Sequence, residues 1–190
     1  AARFAEMNGC VRTTGFNPRD VKETLNRWII GETARATREI ETALAAYRFN
    51  DSANAAYRFV WNIFCDWYLE LAKPVLQGQD GPAKEETRAT TAYVLDQIFI
   101  LLHPFMPFIT EELWAIKGSE GPQRASLLAL ASWPDLSGLE NETVEAEIGW
   151  IVDLVSEIRS VRSEMNVPAS AQIPLVLVSP GDVVQARVQH

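Results

Sequence analysis

The sequence predicts an all-α helical bundle with an incomplete α/β piece at its C-terminal end. Apolar residues recur at helical spacing through most of the 190 residues, and breaks containing proline or glycine separate the periodic stretches. One short apolar run, residues 173–178, is instead typical of a strand. Because 47% of the residues are apolar and 22% charged, the chain can bury a core, which excludes an intrinsically disordered protein.

Four long helices are expected in the bundle, over about residues 17–48, 50–73, 83–102 and 140–165. Asn17 is a suitable N-cap for the first helix, with Pro18 at a permitted first-turn position. The apolar stripe of this helix is expected to extend as far as Tyr47. Residues 50–52 supply a break and a new cap, and Pro74 together with the loop residues 77–82 ends the second helix.

Shorter elements complete the expected order. A double-proline corner precedes a short helix over residues 109–116, and residues 118–139 are irregular, with an extended piece at 127–131. After the strand at 173–178, residues 180–182 open a helix. The expected division is therefore residues 1–16 as the end of an interrupted helix, 17–168 as the bundle, and 169–190 as the incomplete start of a small α/β domain.

Composition and motifs exclude several classes of function. The two cysteines and two histidines make neither a disulfide framework nor a zinc set, so no metal site is expected. No apolar run is long enough to span a bilayer, and the start has neither an initiator Met nor a signal-peptide core, which suggests a piece of a longer cytoplasmic protein. The phosphate-binding glycine loops and hydrolase motifs are missing, so no catalytic residue is predicted.

The charge is distributed unevenly along the chain. The formal net charge is −8, which argues against nonspecific binding of nucleic acid or an anionic membrane. Residues 21–73, however, balance seven basic against seven acidic side chains, whereas residues 74–190 carry the whole acidic excess. Any polyanionic partner should therefore meet the first half of the chain.

The second expected helix carries two rows of side chains that suit RNA recognition. The polar row repeats every four residues and consists of Asn54, Arg58, Asn62 and Asp66. The aromatic-rich row beside it consists of Tyr57, Trp61, Cys65 and Tyr68. Polar side chains of these types can bond phosphates or base edges, and exposed rings can stack on unpaired bases. The alternative is a solvated helix flank with Trp61 half-buried in the bundle, while Trp67 is expected in the core and His103 in a structural role.

Three blocks of sequence resemble the anticodon-binding helical bundle of bacterial valyl-tRNA synthetases, a family within the class Ia aminoacyl-tRNA synthetases. The first block is AYRFND at 46–51 with VWNIFCDWYLELAKP at 60–74. The second is LLHPFMPFITEELW at 101–114, and the third is IRSVRSEMNVP at 158–168. The blocks occur in order and extend over nearly the whole chain.

The resemblance implies a class Ia anticodon-binding bundle that recognises the anticodon loop of tRNA(Val) as part of a monomeric, cytoplasmic valine–tRNA ligase. The rest of the synthetase would hold ATP and Mg²⁺ and perform aminoacylation, because the adenylation motifs have no counterpart in this sequence. It also implies that residues 1–16 end the helix leaving the catalytic domain.

The helix geometry suggests a role for each candidate residue. Arg48 and Arg58 are expected to donate to phosphates or base edges, because a guanidinium can fork to two acceptors. The expected base-edge partners are Asn54, Asn62 and Asp66. The expected stacking platforms are Tyr57, Trp61 and Tyr68. On the preceding helix, Arg35 and Arg38 are candidates for holding the phosphate backbone, with a solvated face as the equal alternative.

Two alternatives remain open at the level of sequence. The same bundle could belong to an isoleucyl- or leucyl-tRNA synthetase, which would change only the anticodon that is read. A protein-interaction bundle without an RNA ligand belongs to a different class of function, and the acidic net charge favours it mildly. RNA binding that weakens with salt and distinguishes anticodon loops would separate the two classes.

Overall fold

The computed structural model describes residues 1–124, 126–168, 170–179 and 181–188. The α-helices are α1 (Ala2–Met7), α2 (Thr24–Ala45), α3 (Phe49–Tyr57), α4 (Leu69–Gln77), α5 (Pro82–Leu102), α6 (Pro107–Gly118), α7 (Glu142–Glu164) and α8 (Asp182–Val188). A π-helix, Arg58–Tyr68, joins α3 to α4, and 3₁₀ turns occupy Pro18–Asp20 and Leu128–Leu130. The described residues contain no strand, so the all-α prediction is confirmed. None of their helices is long and apolar enough to cross a membrane.

The chain folds as two compact units, Ala1–Val144 and Glu145–His190. In the first unit, α2 is central and contacts α3, the π-helix and α5. Buried aliphatic and aromatic side chains fill the space between these helices, among them Ile29, Ile40, Phe59, Phe64 and Leu95. The burial of this apolar surface is the main force that holds the four elements together.

A buried hydrogen-bond network crosses this core. Asn26 of α2 is fully buried, and its amide donates to Glu86 Oε1 at 3.1 Å and to Thr87 Oγ1 at 3.0 Å. The Tyr68 hydroxyl donates to Asn26 Oδ1 at 3.2 Å and lies 2.9 Å from Thr91 Oγ1. The network therefore connects α2, the π-helix and α5 and satisfies polar groups that would otherwise be buried without partners.

The backbone just before α2 is held differently from the prediction, which placed the cap of this helix at Asn17. Asn17 accepts a hydrogen bond from the Arg19 amide at 3.2 Å, but this bond caps the Pro18–Asp20 turn and not α2. The carboxylate of Glu86 instead accepts from the Lys22 and Glu23 amides at 3.0 and 2.9 Å. Since Glu86 lies on α5, this contact depends on tertiary packing and could not be predicted from the local sequence.

The corner between α2 and α3 also differs from the predicted one. Tyr47 adopts a left-handed backbone with φ 58°, and the Arg48 amide donates to the Ala43 carbonyl at 2.8 Å, so α2 ends before the predicted stripe does. The cap predicted at residues 50–52 is wrong, because α3 begins at Phe49. The buried Ser52 hydroxyl donates to the Ile40 carbonyl at 3.4 Å and so ties α3 to α2.

The second predicted helix extends beyond its expected end. Pro74 lies inside α4, which continues to Gln77, so the predicted stop at Pro74 is wrong. A proline removes one helical hydrogen bond, but the buried face of α4, with Leu69, Ala72 and Leu76, stabilises the helix on both sides of it.

The segment after α5 is held by side-chain contacts. The predicted structural role of His103 is confirmed, because its Nδ1 lies 2.8 Å from Thr110 Oγ1. The extended piece predicted at 127–131 is wrong: it contains a 3₁₀ turn whose Leu128 and Ala129 amides donate to the Glu111 carboxylate at 2.7 and 3.1 Å. A carboxylate from α6 thus satisfies backbone groups that a strand partner would have paired.

The second unit contains most of α7 together with α8. The strand predicted at 173–178 is wrong, because a strand needs a neighbouring strand to receive its hydrogen bonds, and the described residues supply none. Arg162 instead donates to the carbonyls of Pro168 and Ala171 at 2.8 and 3.0 Å. A helix after the strand was expected and α8 is present, although Pro180 lies outside the described residues. The predicted boundaries at residues 16 and 168 stay a prediction.

Tyr68→Phe should lower the free energy of unfolding by about 1–3 kcal/mol, because Asn26 Oδ1 would lose its buried donor. Urea denaturation would measure this loss. Tyr93→Phe is the matched control: Tyr93 is partly buried against Phe16 and its hydroxyl bonds no other described residue. Equal stabilities of the two variants would show that the Tyr68 hydroxyl contributes nothing to the core.

Candidate nucleic-acid interface

A polar groove of about 390 Å³ lies along α2, α3 and the start of the π-helix. It is lined by Arg38, Glu39, Thr42, Ala43, Arg48, Asp51, Asn54, Ala55 and Arg58. Three of the predicted site residues, Arg48, Asn54 and Arg58, are therefore brought together on one surface. Arg38, a candidate for contact with the RNA phosphate backbone, lines the same groove. Arg35, the other candidate, is half-buried and pairs with Glu32 at 3.3 Å.

Each arginine of the groove is paired with a carboxylate. Arg58 Nη2 lies 2.6 Å from Glu39 Oε2, and Arg48 Nη1 lies 3.7 Å from Asp51 Oδ2. Arg38 pairs with Glu140. All three guanidinium groups remain largely exposed, so each keeps donors that can reach a ligand.

Tyr57 and Trp61, which flank the groove residue Arg58 in the chain, form an exposed aromatic pair. Their ring centroids are 6.5 Å apart and their planes are nearly parallel, at 12°. The residues are 61% and 55% exposed, although large aromatic side chains in proteins usually bury most of their surface. Both rings can therefore offer a face to an unstacked base.

The π-helix divides the predicted polar row. Asn62 and Asp66 are exposed, as expected, but they do not line the groove with Asn54 and Arg58. A π-helix closes its hydrogen bonds over five residues, as between the Leu69 amide and the Phe64 carbonyl, and this changes the angular step between side chains. Residues spaced by four therefore follow a different path along the π-helix than along α3.

Tyr68 must be removed from the predicted interface. It is 0% exposed, and burial raises the pKa of its hydroxyl, which is bonded within the core. Its ring cannot stack on a base while the bundle is folded. The expectation for Trp67 is also wrong, since Trp67 is only half-buried, and Tyr68 takes the core position instead.

Two aromatic residues of this surface were missed by the sequence analysis. Tyr47, placed in the apolar stripe, is 82% exposed, and its ring meets that of the exposed Phe49 edge to face, at 6.5 Å and 76°. They flank Arg48 in the chain. Two aromatic residues on either side of an arginine, at the end of a helix, are the sequence pattern that could have indicated an exposed pair. No local signal existed for Glu39, because its partner Arg58 is 19 residues away on another helix.

The residues of this surface lie within a domain that is known from other proteins. The family model for the anticodon-binding domain of tRNA ligase matches residues 26–177 of this sequence. This range includes every residue of the groove and of the aromatic pair. The chain belongs to this family.

Relatives of this anticodon-binding domain include the valine–tRNA ligases of Brucella suis, Caulobacter vibrioides and Rhodopseudomonas palustris, at 56%, 54% and 51% identity. The alignments take in 98%, 99% and 100% of this chain but 20%, 21% and 23% of those ligases. The chain thus spans about a fifth of the length of the curated relatives it matches. The predicted resemblance to the valyl-tRNA synthetase bundle is confirmed.

The described part of the anticodon-binding domain offers no metal site. Within it, no three histidine, cysteine or acidic side chains are grouped so that they could hold a metal ion. The family resemblance implies Mg²⁺ only for the rest of the synthetase, and the described residues offer no grouping that would hold it.

The two cysteines of the chain, Cys10 and Cys65, should differ in reactivity. Cys10 is fully buried, and burial raises the pKa of its thiol to about 11, so little thiolate exists at pH 8. Cys65 is half-buried, and burial also raises its pKa, but reagents can reach it. Native alkylation at pH 8, followed by mass spectrometry, should modify Cys65 first and Cys10 only after denaturation. Persistent rapid labelling in the Cys65→Ser variant would contradict the assigned burial of Cys10.

Proposed function

We propose that this chain is the tRNA-recognition part of a valine–tRNA ligase and that it binds the anticodon loop of tRNA(Val). The observation that carries the proposal is the arginine-lined groove whose Arg58 lies between the exposed Tyr57 and Trp61 in the chain, in a member of the anticodon-binding domain family. RNA sequence is read most readily where bases are unstacked, and an anticodon loop presents such bases.

Each group of side chains has a distinct task in this proposal. Arg48 and Arg58 donate to phosphate oxygens or base edges, since their guanidinium groups are exposed. The amide of Asn54 can both donate to and accept from a base edge at the groove. Tyr57 and Trp61 stack on bases. Asn62 and Asp66 are exposed further along the π-helix, where they would meet a neighbouring nucleotide.

The remainder of the ligase completes the proposed activity. It would hold ATP and Mg²⁺ and join valine to the tRNA, while this bundle positions the tRNA for that reaction. The names of the relatives support valine as the amino acid over isoleucine or leucine. We propose a monomeric, cytoplasmic enzyme, with residues 1–16 leading from the catalytic domain, 17–168 forming the bundle, and 169–190 beginning a small further domain.

Arg58→Ala should weaken binding of a stem-loop with the valine anticodon by about 1–3 kcal/mol without unfolding the bundle. Titration followed by tryptophan fluorescence at low salt would measure the affinity, with circular dichroism as the test of folding. Arg3→Ala is the matched control, because it removes the same charge from an exposed position on α1, outside the groove. Unchanged affinity in a folded Arg58→Ala variant would remove Arg58 from the interface.

A second stem-loop with one changed anticodon base tests sequence reading. The wild-type chain should bind it more weakly than the valine loop, and the affinity for both should fall as salt rises. Equal affinities would reduce the proposal to backbone binding. The absence of salt-dependent RNA binding would favour the protein-interaction alternative.

A further inference from the structure

The groove is nearly neutral although three arginines line it. Glu39 and Asp51 lie among its walls, and Glu140 pairs with Arg38, so each guanidinium already faces a carboxylate. A surface that attracted RNA by charge alone would leave its arginines unopposed. The carboxylates therefore reduce the sequence-independent part of the RNA affinity, which comes from attraction to phosphates.

Glu39 differs from the other carboxylates in the position of its partner. Asp51 pairs with Arg48 within one helical turn, at 3.7 Å. Glu39 reaches from α2 to Arg58 at the start of the π-helix, and the 2.6 Å contact joins two walls of the groove. Because the contact involves a single terminal nitrogen of Arg58, the guanidinium keeps other N–H groups for a ligand.

We infer that Glu39 is a specificity-determining residue of the groove: it orients the Arg58 guanidinium for a base edge and competes with phosphates that would bind Arg58 without reading a base. This inference rests on the proposed function. A base-edge contact can use the free edge of Arg58 while Glu39 holds the other. A phosphate that occupies Arg58 alone must displace Glu39 or accept its repulsion.

The two binding modes respond differently to the loss of the carboxylate. Exposed ion pairs contribute little to stability, so the substitution Glu39→Gln should leave the fold intact. Without the Glu39 carboxylate, a phosphate can bind Arg58 without repulsion. A base edge, in contrast, meets an Arg58 guanidinium that is no longer held in one orientation. The variant should then bind RNAs of different sequence more tightly but discriminate less between them.

Glu39→Gln tests this inference with three RNAs: the stem-loop with the valine anticodon, the loop with one changed base, and an unrelated single strand of equal length. The variant should bind the changed loop and the single strand about two- to fivefold more tightly than wild type. Its affinity for the valine loop should rise less, so discrimination falls. The salt dependence for the single strand should steepen, by about 0.7 in the slope of log K against log salt for each phosphate gained.

Glu85→Gln is the matched control. It removes the same charge from the exposed Glu85, which pairs with the half-buried Arg88 at 2.7 Å on α5, outside the groove. This variant should keep the wild-type affinities, discrimination and salt slopes. A thermal melt of both variants checks that neither has lost its fold.

The outcomes separate this inference from the proposed function. If the wild-type chain distinguishes the two loops and Glu39→Gln behaves like Glu85→Gln, Glu39 has no role in specificity and the proposed function stands. An equal gain in affinity for all three RNAs would also overturn the inference, because it would show simple charge repulsion. If the wild-type chain binds none of the RNAs, the proposed function fails and the inference falls with it.

Discussion

The buried contact of Tyr68 with Asn26 and Thr91 fixes how the helices of the first unit are arranged. Polar groups buried at this depth need hydrogen-bond partners, and the Asn26 amide and the Tyr68 hydroxyl both find theirs on other helices. Apolar packing alone would tolerate small rotations of the helices, whereas these hydrogen bonds permit one register. The same network reaches Glu86, which binds the backbone just before α2, so the start of α2 is fixed together with its packing.

The orientation of the candidate interface follows from this register. Tyr68 is the last residue of the π-helix, and its inward position fixes which side of that helix faces the core. Phe59 and Phe64 are buried on the same element, which leaves Trp61 exposed and Arg58 directed to Glu39. A π-helix holds more residues in each turn than an α-helix, and such helices occur often at functional sites because they reposition a few side chains within a continuous helix. The orientation of the candidate interface therefore depends on a core contact that lies outside the groove.

The sequence predicted the helices well because their apolar spacing is a local property, and it predicted the groove in part because Arg48, Asn54 and Arg58 lie close together in the chain. It failed where tertiary structure decides the outcome. Tyr57 and Tyr68 looked equivalent in one aromatic-rich row, yet one is 61% exposed and the other buried, because the π-helix changes the angular spacing between them. Pro74 and residues 173–178 show the same limit: a buried face carries α4 through the proline, and a strand-like run forms no strand without a neighbour among the residues that the structure describes.

The charge of the chain constrains how it can select RNA. With a net charge of −8, long-range attraction of a polyanion is weak, and contacts shorter than the Debye length of about 8 Å must supply the affinity. In the groove those contacts come from arginines that already have carboxylate partners. An RNA competes with these carboxylates for the arginines. It can add two interactions that a carboxylate cannot make, namely stacking on Tyr57 or Trp61 and hydrogen bonds through base edges. Under the proposed function, low charge thus favours selectivity, and the weak affinity that accompanies it would be offset by the other contacts of a ligase about five times the length of this chain.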